Sequence, residues 1–324
     1  MKKYLILTVF IWISLLVIPL CVFGFSSFSE KQSDVTYSDE KNLKTGDDTI
    51  KVYNTDEKTT ENLDFREYII GVVAAEMPAE FHPEALSACA AAAATLARTK
   101  IRSGGEKELS GAVISTDSTK HQAYMNKEEM KKRWGDDFDS YYQKICDAVD
   151  KAIDYSITYE GELIVAAYHA ISPGMTENAE NVWSEKLPYL SSVESSGDKL
   201  SPKYSSDKII TFDEFREKIS EYGGTLPEDK ALWLGTGEYT EAGTLIKISI
   251  GDKTFSGESL REMFSLRSAA ISLSMNKDGI IFSVKGYGHG VGMSQYGADY
   301  LARQGFSWQE IIKHYYTGVE IEIL

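Results

Sequence analysis

Residues 63–100, LDFREYIIGVVAAEMPAEFHPEALSACAAAAATLARTK, predict two helices joined by an elbow that prolines bound. Asp64 followed by Glu67 has the spacing of a capping box, in which two side chains pair with backbone N–H groups at a helix start. Apolar residues then recur with a period near 3.6, which predicts that the first helix buries one face. Pro78 ends this helix and Pro83 starts the next, because proline disfavours helical geometry just before it but fits a first helical position.

The second helix carries five consecutive alanines, residues 90–94. Side chains this small allow another backbone to approach closely. Residues 126–153 predict a helix capped at Asn126, and Ser307 with Glu310 caps a predicted terminal helix. Hairpins are predicted from residues 156–159 with 162–169, 245–250 with 253–255 and 271–275 with 279–285. These helices and antiparallel hairpins lie in separate runs, which predicts an α+β fold and not a parallel doubly wound sheet. In this fold a helical lobe that carries the elbow packs on antiparallel β hairpins.

Glu76 stands at the end of the first helix, directly after an apolar run. Apolar neighbours desolvate its carboxylate, the negative helix end disfavours its charge, and Glu80 and Glu84 add like charge nearby. All three effects raise the pKa of Glu76, as a general acid working near neutral pH requires. The alternative, on spacing alone, is a solvated glutamate at a helix end with an ordinary pKa.

Two long motifs and three short ones give the sequence a family resemblance. YIIGVVAAEMP at 68–78 leads into an alanine-rich helix ending in ATLAR at 94–98, and GYGHGVGMSQYGA occupies 286–298. Shorter similarities lie at 122–124, 168–183 and 266–268. Together they resemble the stage II sporulation protein D family, which includes amidase enhancers of bacterial cell walls. The resemblance runs in the family's order from about residue 63 to residue 324.

The resemblance implies a lytic transglycosylase that cleaves the glycan strands of peptidoglycan, with Glu76 as the catalytic acid and no cofactor. It also implies a role in septal and engulfment wall remodelling during sporulation, on strands first stripped of stem peptides. An amidase and a membrane protein of the engulfment machinery are the expected partners. The alternative is a non-catalytic wall-binding amidase enhancer that keeps the substrate groove without cutting bonds.

The resemblance also assigns substrate-binding residues around Glu76. They are Tyr124, His169, Ser172, Glu177, His289, Ser294 and Gln295. Pro173 departs from the family pattern, because the family usually has the first of two glycines there, and this change stiffens the loop. Taken without the family, His169 at the end of an apolar strand is more typical of a core histidine than of a functional one. Tyr124 is equally consistent with a buried core tyrosine and with contact to a sugar ring.

Glycine occupies every second position from Gly286 to Gly292. On a strand this spacing predicts one bare face, which lets a ligand or a second backbone come close. The spacing does not match the G-x-G-x-x-G fingerprint of dinucleotide-binding proteins. The resemblance favours a cleft wall beside Glu76, and the alternative is a packing strand with a structural histidine at His289.

Metal binding is not predicted. The five histidines lie outside any H-E-x-x-H pattern, and the three cysteines lack paired spacing. Some family members carry a cysteine just before the motif at 122–124, but residues 118–121 read STKH here. Cys89 and Cys146 either form a bridge or are two buried free thiols.

Composition and the N-terminus bound the location of the protein. A net charge of −15 over 324 residues argues against a nucleic-acid surface, which needs a concentrated basic patch. Lys2 and Lys3 precede an uncharged run from Tyr4 to Phe25, long enough to cross a ~30 Å hydrocarbon core. A cleaved signal peptide is the alternative, but no A-x-A pattern marks a cleavage site.

We therefore expect a single-pass anchor in the cell membrane with a cytoplasmic N-terminus and an extracytoplasmic domain. The predicted organisation is an anchor over 1–25, a flexible acidic linker over 26–62 and a catalytic domain over 63–324. The linker prediction rests on its polar composition, which buries too little apolar surface to offset the entropy of ordering.

Overall fold

A computed structural model describes residues 49–55, 57–104, 109, 111–117 and 120–323. The predicted anchor at 4–25 and the linker residues before 49 lie outside the described residues. Within the described ranges, none of the helices combines the length and apolar character that crossing a membrane requires.

The fold is α+β, as predicted. The helices are α1 Phe65–Glu76, α2 Pro83–Arg102, α3 Lys127–Trp134, α4 Phe138–Ala152, α5 Ala179–Trp183, α6 Phe212–Glu221, α7 Gly257–Met263, α8 Gln295–Arg303 and α9 Trp308–Tyr315. The strands are β1 Thr49–Asn54, β2 Thr59–Asp64, β3 Ile114–Ser115, β4 Tyr155–Tyr159, β5 Glu162–Leu163, β6 Tyr168–His169, β7 Ser205–Ile210, β8 Glu238–Tyr239, β9 Leu245–Ile250, β10 Lys253–Ser256, β11 Ile271–Met275, β12 Ile280–Lys285, β13 Met293–Ser294 and β14 Glu320–Ile323.

The first hydrophobic core is organised around α2. The alanines at 90–94 have no exposed surface, and α1, α4, α8, α9 and β4 all pack against this helix. The predicted close approach of neighbouring backbones to the alanine run is therefore confirmed. The N-terminal and C-terminal parts of the domain meet in this core. In chain order, α8, α9 and β14 follow the residues of the second core and pack against the first.

The second core lies in the chain between residues 205 and 285. Two three-stranded sheets, in the orders β11-β12-β7 and β10-β9-β8, combine with α6 and α7 around buried aromatic residues. Phe215, Trp233, Phe264 and Phe282 are its largest members, each at most 3% exposed. The predicted hairpins of β9 with β10 and β11 with β12 are confirmed.

The structure differs from the predicted flexible linker at residues 49–62. This segment forms β1 and β2, which pair antiparallel from Thr49 opposite Asp64 to Asn54 opposite Thr59. Ile50 and Val52 point into the first core and are 1% and 2% exposed. Exposed and buried residues alternate at the start of β1, as expected for a half-buried strand. The polar composition of the whole segment concealed this short alternation in the sequence.

Two predicted elements end earlier than expected. The helix predicted over 126–153 is divided between α3 and α4, because Gly135 adopts φ 54° and ends α3. The strand predicted over 162–169 stops at Leu163, and Tyr168 and His169 pair instead in parallel with Met293 and Ser294. The caps predicted at Asn126 and Ser307 are both present.

Candidate active site

Glu76 is the last residue of α1, as the sequence predicts. The helix begins at the Asp64 side chain, which accepts a 2.9 Å hydrogen bond from the Glu67 N–H. It ends because Met77, the residue before Pro78, adopts extended geometry. The elbow is then fixed by a local hydrogen bond from the Phe81 N–H to the Pro78 oxygen and by distant contacts from the His82 N–H to Asp299 and from Lys144 to the Ala79 oxygen.

Two donors hold the Glu76 carboxylate. Its Oε1 accepts from the backbone N–H of Ala123 at 2.9 Å, and its Oε2 accepts from Nε2 of Gln295 at 3.1 Å. The side chain is partly buried, and this desolvation raises the pKa of Glu76, while the two hydrogen bonds act in the opposite direction. Burial wins, so the group keeps its proton to a higher pH than an ordinary glutamate.

The like-charge contribution expected from Glu80 and Glu84 is wrong. Glu84 is bound by Lys151 and by the backbone N–H of Trp308, and Glu80 accepts from the Tyr141 hydroxyl at 3.3 Å. Their carboxylates are thus turned toward α4 and α9. The raised pKa of Glu76 has burial, and not a neighbouring charge, as its cause.

A buried polar layer lies behind Glu76. The Tyr68 hydroxyl donates to Oε1 of Gln122 at 3.2 Å, and Nε2 of Gln122 donates to the Tyr168 hydroxyl at 2.9 Å. Burial first, and the charge of Glu76 second, raise the pKa of Tyr68 and of Tyr168. Sequence reasoning missed these roles, although Gln122 lies in one of the short family motifs.

The side chain of Tyr124 packs against α1, whereas the backbone N–H of its neighbour Ala123 donates to Glu76. Its ring stacks on Tyr68 with centroids 5.7 Å apart and fills the space beside Gly71, where a Cβ would lie 2.3 Å from the ring. After burial, the charges that raise the pKa of Tyr124 come from acidic side chains on β2, α1 and α3. The backbone of this motif therefore reaches Glu76, while its tyrosine packs against α1.

The glycine-rich run does not form the predicted strand. All four alternate glycines adopt positive φ: 79° at Gly286, 111° at Gly288, 81° at Gly290 and 73° at Gly292. A Cβ would lie 2.7 Å from the Ile171 oxygen at Gly286 and 2.0 Å from the Ala167 oxygen at Gly292. These glycines are needed because the loop lies directly against residues 167–172, and only glycine combines positive φ with so close an approach.

The two candidate histidines are neutral and held by this loop. His289 accepts from the Val291 N–H at Nδ1 and donates from Nε2 to the Tyr168 oxygen, at 3.1 and 3.0 Å. His169 donates from Nδ1 to the Val291 oxygen at 3.1 Å, and its buried Nε2 has no partner among the described residues. Burial lowers the pKa of His169 to about 4 and that of His289 to about 3.

Ser172 and Ser294 meet at a buried carboxylate that sequence reasoning missed. Asp198 accepts from the Ser172 hydroxyl at 2.5 Å and from the Ser294 hydroxyl at 2.6 Å, and none of the three is exposed. Ser294 also caps α8 by accepting from the Gly297 N–H. Through these hydrogen bonds, Ser172, Asp198 and Ser294 fix the start of α8 and therefore the position of Gln295.

Glu177 is likewise buried, with both carboxylate oxygens occupied. Oε1 accepts from the Asn181 side chain at 2.7 Å, and Oε2 accepts from the Thr240 hydroxyl at 2.7 Å. Its backbone N–H donates to the Gly290 oxygen. Glu177 thus joins the glycine loop to the segment that carries β8.

Of the predicted site residues, all of which the structure describes, only Gln295 donates a side-chain hydrogen bond to Glu76.

Among the residues that the structure describes, no three His, Cys, Asp or Glu side chains come together in a way that could hold a metal ion. Cys89 and Cys146 are buried free thiols, the second of the two predicted alternatives. Burial, followed by the charge of Glu76, raises the pKa of Cys89, so this thiol is neutral.

The fold and the site define an α+β protein in which a carboxyl group at a helix elbow is bound by Gln295, which follows shortly after a glycine-rich loop. The family model described as "Stage II sporulation protein" matches residues 53–159. The chain is 40% identical to the stage II sporulation protein D of Bacillus subtilis (strain 168) over 302 residues, 92% of this chain and 87% of the relative. The protein therefore belongs to the stage II sporulation protein D family, as its motifs predicted.

Two further relatives extend the comparison. The chain is 40% identical over 283 residues to the stage II sporulation protein D of Bacillus amyloliquefaciens, which covers 87% of this chain and 81% of the relative. It is 28% identical over 304 residues to the amidase enhancer of Bacillus subtilis (strain 168), covering 78% of this chain and 40% of that longer protein.

Proposed function

We propose that this protein is a lytic transglycosylase that cleaves peptidoglycan glycan strands in the wall remodelling of sporulation. The observation that carries the proposal is the Glu76 carboxyl group, whose pKa burial raises and which two N–H donors hold in place. The names of the two relatives at 40% identity support a sporulation role, and the amidase enhancer supports a cell-wall substrate.

In the first step, Glu76 donates its proton to the glycosidic oxygen between N-acetylmuramic acid and N-acetylglucosamine. The bond from this oxygen to C1 of the muramoyl unit breaks through an oxocarbenium-like state. The carboxylate that forms is stabilised by the Ala123 N–H and by the Gln295 amide. Hydrogen bonds that favour the charged form thus assist the proton transfer, while burial raises the pKa of the resting group and so favours its protonated form.

In the second step, the Glu76 carboxylate takes the proton of the muramoyl C6 hydroxyl, and O6 bonds to C1. The product is a 1,6-anhydromuramoyl end, and Glu76 is again protonated. No water molecule attacks, so a single carboxyl group suffices. This agrees with the positions of Glu80 and Glu84, the nearest carboxylates in sequence, which are engaged with α4 and α9.

The proposal includes a location and partners. Residues 4–25 would anchor the protein in the cell membrane and place the domain outside the cytoplasm. A peptide-removing amidase and a membrane protein of the engulfment machinery would act beside it. A direct check of the anchor is protease protection of the domain in intact and lysed cells, together with the mass of the mature N-terminus.

The second candidate function is a non-catalytic amidase enhancer. The observation in its favour is the 28% identity to a protein of that name. Such a protein would bind glycan strands and raise the activity of an amidase, and Glu76 would contribute only to the structure of the site.

The experiment that separates the two is digestion of peptide-free glycan strands, followed by mass spectrometry of the new ends. We expect anhydromuramoyl ends from the wild type and none from Glu76→Gln. The variant should fold, because the Gln295 amide can turn so that its oxygen accepts from the amide that replaces the carboxyl group. Glu80→Gln, a carboxylate of the same elbow, is the matched control and should cleave normally.

Three other results of this digestion would each lead to a different conclusion. Full cleavage by Glu76→Gln would contradict the assignment of the acid. Absence of cleavage by the folded wild type, with stimulation of an amidase by both proteins, would replace the enzyme with the enhancer. Reducing ends without the anhydro group would show hydrolysis, which requires an attacking water and a general base.

A further inference from the structure

An unpaired cationic cluster lies on the outer side of the glycine loop in a chain with net charge −15. Its members are Lys199, Arg267 and Lys285, which are all exposed, and none forms an ion pair within the described part of the chain. Lys199 lies over Gly174, and Lys285 directly precedes Gly286, which packs against residues 171–173. Three exposed cations therefore belong to segments that contact the glycine loop or the turn at residues 171–174.

Arg267 forms the best-defined contact in this cluster. Its guanidinium carbon lies 5.7 Å from the ring centroid of Tyr287, whose side chain is 47% exposed. The backbones that carry the pair are fixed. Tyr287 exchanges two hydrogen bonds with Ile171, at 2.7 and 3.0 Å, and the Arg267 oxygen accepts from the Gly288 N–H at 2.9 Å.

Neither burial nor charge neutralisation accounts for this arrangement. A half-exposed tyrosine gains little from the removal of apolar surface from water, and a guanidinium without a carboxylate partner gains nothing from an ion pair. A ligand that carries a carboxylate next to a sugar ring uses both groups. Guanidinium binds carboxylates through two parallel hydrogen bonds, and an exposed aromatic ring offers an apolar face to a sugar.

The cluster is continuous with the proposed active site. Two residues after Tyr287, the ring of His289 lies 5.3 Å from that of Trp183, which is itself 37% exposed. The same loop runs on to Gln295, whose amide donates to Glu76. The glycine loop thus carries one exposed aromatic ring, Tyr287, lies beside a second on α5, Trp183, and leads to a partner of the acid, Gln295, so a polymeric ligand can contact all three.

We propose that Arg267 and Tyr287 form a carboxylate subsite for a glycan unit other than the two that flank the cleaved bond. The inference rests on the proposed function, since it takes peptidoglycan as the ligand. Two parts of that polymer supply a carboxylate: the lactyl group of a muramoyl unit without a stem peptide, and the peptide itself. The shared chemistry is a carboxylate held close to an N-acetylated sugar.

The test measures binding and not cleavage, so it uses the Glu76→Gln protein and that protein with Arg267→Met. Three oligosaccharide ligands of equal length distinguish the sources: peptide-free strands, the same strands with lactyl carboxylates reduced to alcohols, and strands carrying L-Ala-D-Glu. Isothermal titration should show tighter binding of a carboxylate ligand over the reduced one by about 2- to 5-fold, the range of one solvent-exposed ion pair. Arg267→Met should abolish that ratio.

Arg216→Met in the same Glu76→Gln protein is the matched control. Arg216 is another exposed guanidinium over an aromatic ring, 5.2 Å from Trp233, but its ring partner belongs to the second core. Its substitution should leave the ratio unchanged, and thermal unfolding should show that both variants fold. Preference for the peptide-free strand identifies the lactyl carboxylate, and preference for the L-Ala-D-Glu strand identifies the peptide.

Two results would overturn the subsite. One is equal binding of carboxylated and reduced strands, and the other is a preference that survives in Arg267→Met. Either result leaves the proposed cleavage untouched, because cleavage is measured with Glu76 present. Conversely, a carboxylate preference that Arg267→Met removes would stand even if the wild type cut no strand, and the subsite would then belong to an amidase enhancer.

Discussion

The two hydrophobic cores of this protein both contain large aromatic rings, such as Trp308 in the first and Trp233 in the second, but they differ in what lies beside those rings. The first packs helices around an alanine run, and buried polar groups such as Gln122, the Tyr68 hydroxyl and Asp198 lie within it or beside it. The second encloses aromatic rings such as Phe215 and Phe282, and none of the predicted site residues belongs to it. The difference indicates a division of roles: the second core contributes apolar packing, and the first also carries the buried polar groups of the candidate site.

The largest effect on folding stability is expected from removing a ring of the second core. Phe282 is fully buried, 4.6 Å from Phe264 between ring centroids. Phe282→Ala should lower the free energy of unfolding by about 3–5 kcal/mol, as for other buried aromatic residues. Urea denaturation measures this loss.

The control is Phe306→Ala, because Phe306 is 40% exposed and should cost far less. If the roles are divided as we infer, the folded fraction of Phe282→Ala retains the raised pKa of Glu76. A pKa of Glu76 that falls to the ordinary value in this variant would show that the second core tunes the site after all.

A smaller effect is expected from a methyl group in the glycine loop. Gly292→Ala places a Cβ 2.0 Å from the Ala167 oxygen at φ 73°, so the backbone must shift. We expect a loss of about 1–3 kcal/mol from this overpacking, in addition to the cost of positive φ. Denaturation of Gly104→Ala supplies the matched control, since Gly104 has φ 78° and an added Cβ there would have no atom within 4 Å.

The difference between the two variants isolates the close approach from backbone strain. Equal losses in both would mean that the loop does not depend on contact with residues 167–172. Gly292→Ala should also lower glycan cleavage, because the same loop positions Gln295.

The smallest change concerns one hydrogen bond. Gln295→Ala removes a donor to Glu76, and a hydrogen bond to a charged group contributes about 1.5–3 kcal/mol. Because that bond favours the charged form, its loss should raise the pKa of Glu76 further and move the alkaline limb of the pH–rate profile to higher pH. Gln304→Ala, an exposed glutamine after α8, should leave the profile unchanged, and a shift to lower pH in Gln295→Ala would contradict the account.

The sequence could predict the elbow because its signals are local. Asp64, Pro78 and Pro83 set the ends of two helices from within one short stretch, and Glu76 follows from them. The alanine run likewise predicts close packing. Caps at Asn126 and Ser307 were predictable for the same reason, since each needs only a residue three positions later.

The remainder of the site depends on contacts between distant residues, which no local pattern reveals. Ser294 and Asp198 are 96 positions apart, and the donor from Gln295 reaches Glu76 across 219 positions. The alternating glycines show the limit well. Their spacing predicts a strand, but the neighbouring residues 167–172 determine the backbone geometry, and all four glycines adopt positive φ.

The central claim is that burial outweighs two hydrogen bonds at Glu76, and carbon-13 NMR of its carboxyl group tests this most directly, with Glu76→Gln to assign the signal. The claim predicts a titration midpoint above the ordinary value of about 4.3 for glutamate. It also predicts that this group's contribution to stability is present below the ordinary pKa and is lost as the pH rises through the folded-state pKa. Over that rise in pH, Glu76→Gln should therefore gain stability relative to the wild type. A midpoint at or below the ordinary value would mean that the two donors win, that Glu76 is charged, and that it cannot be the acid.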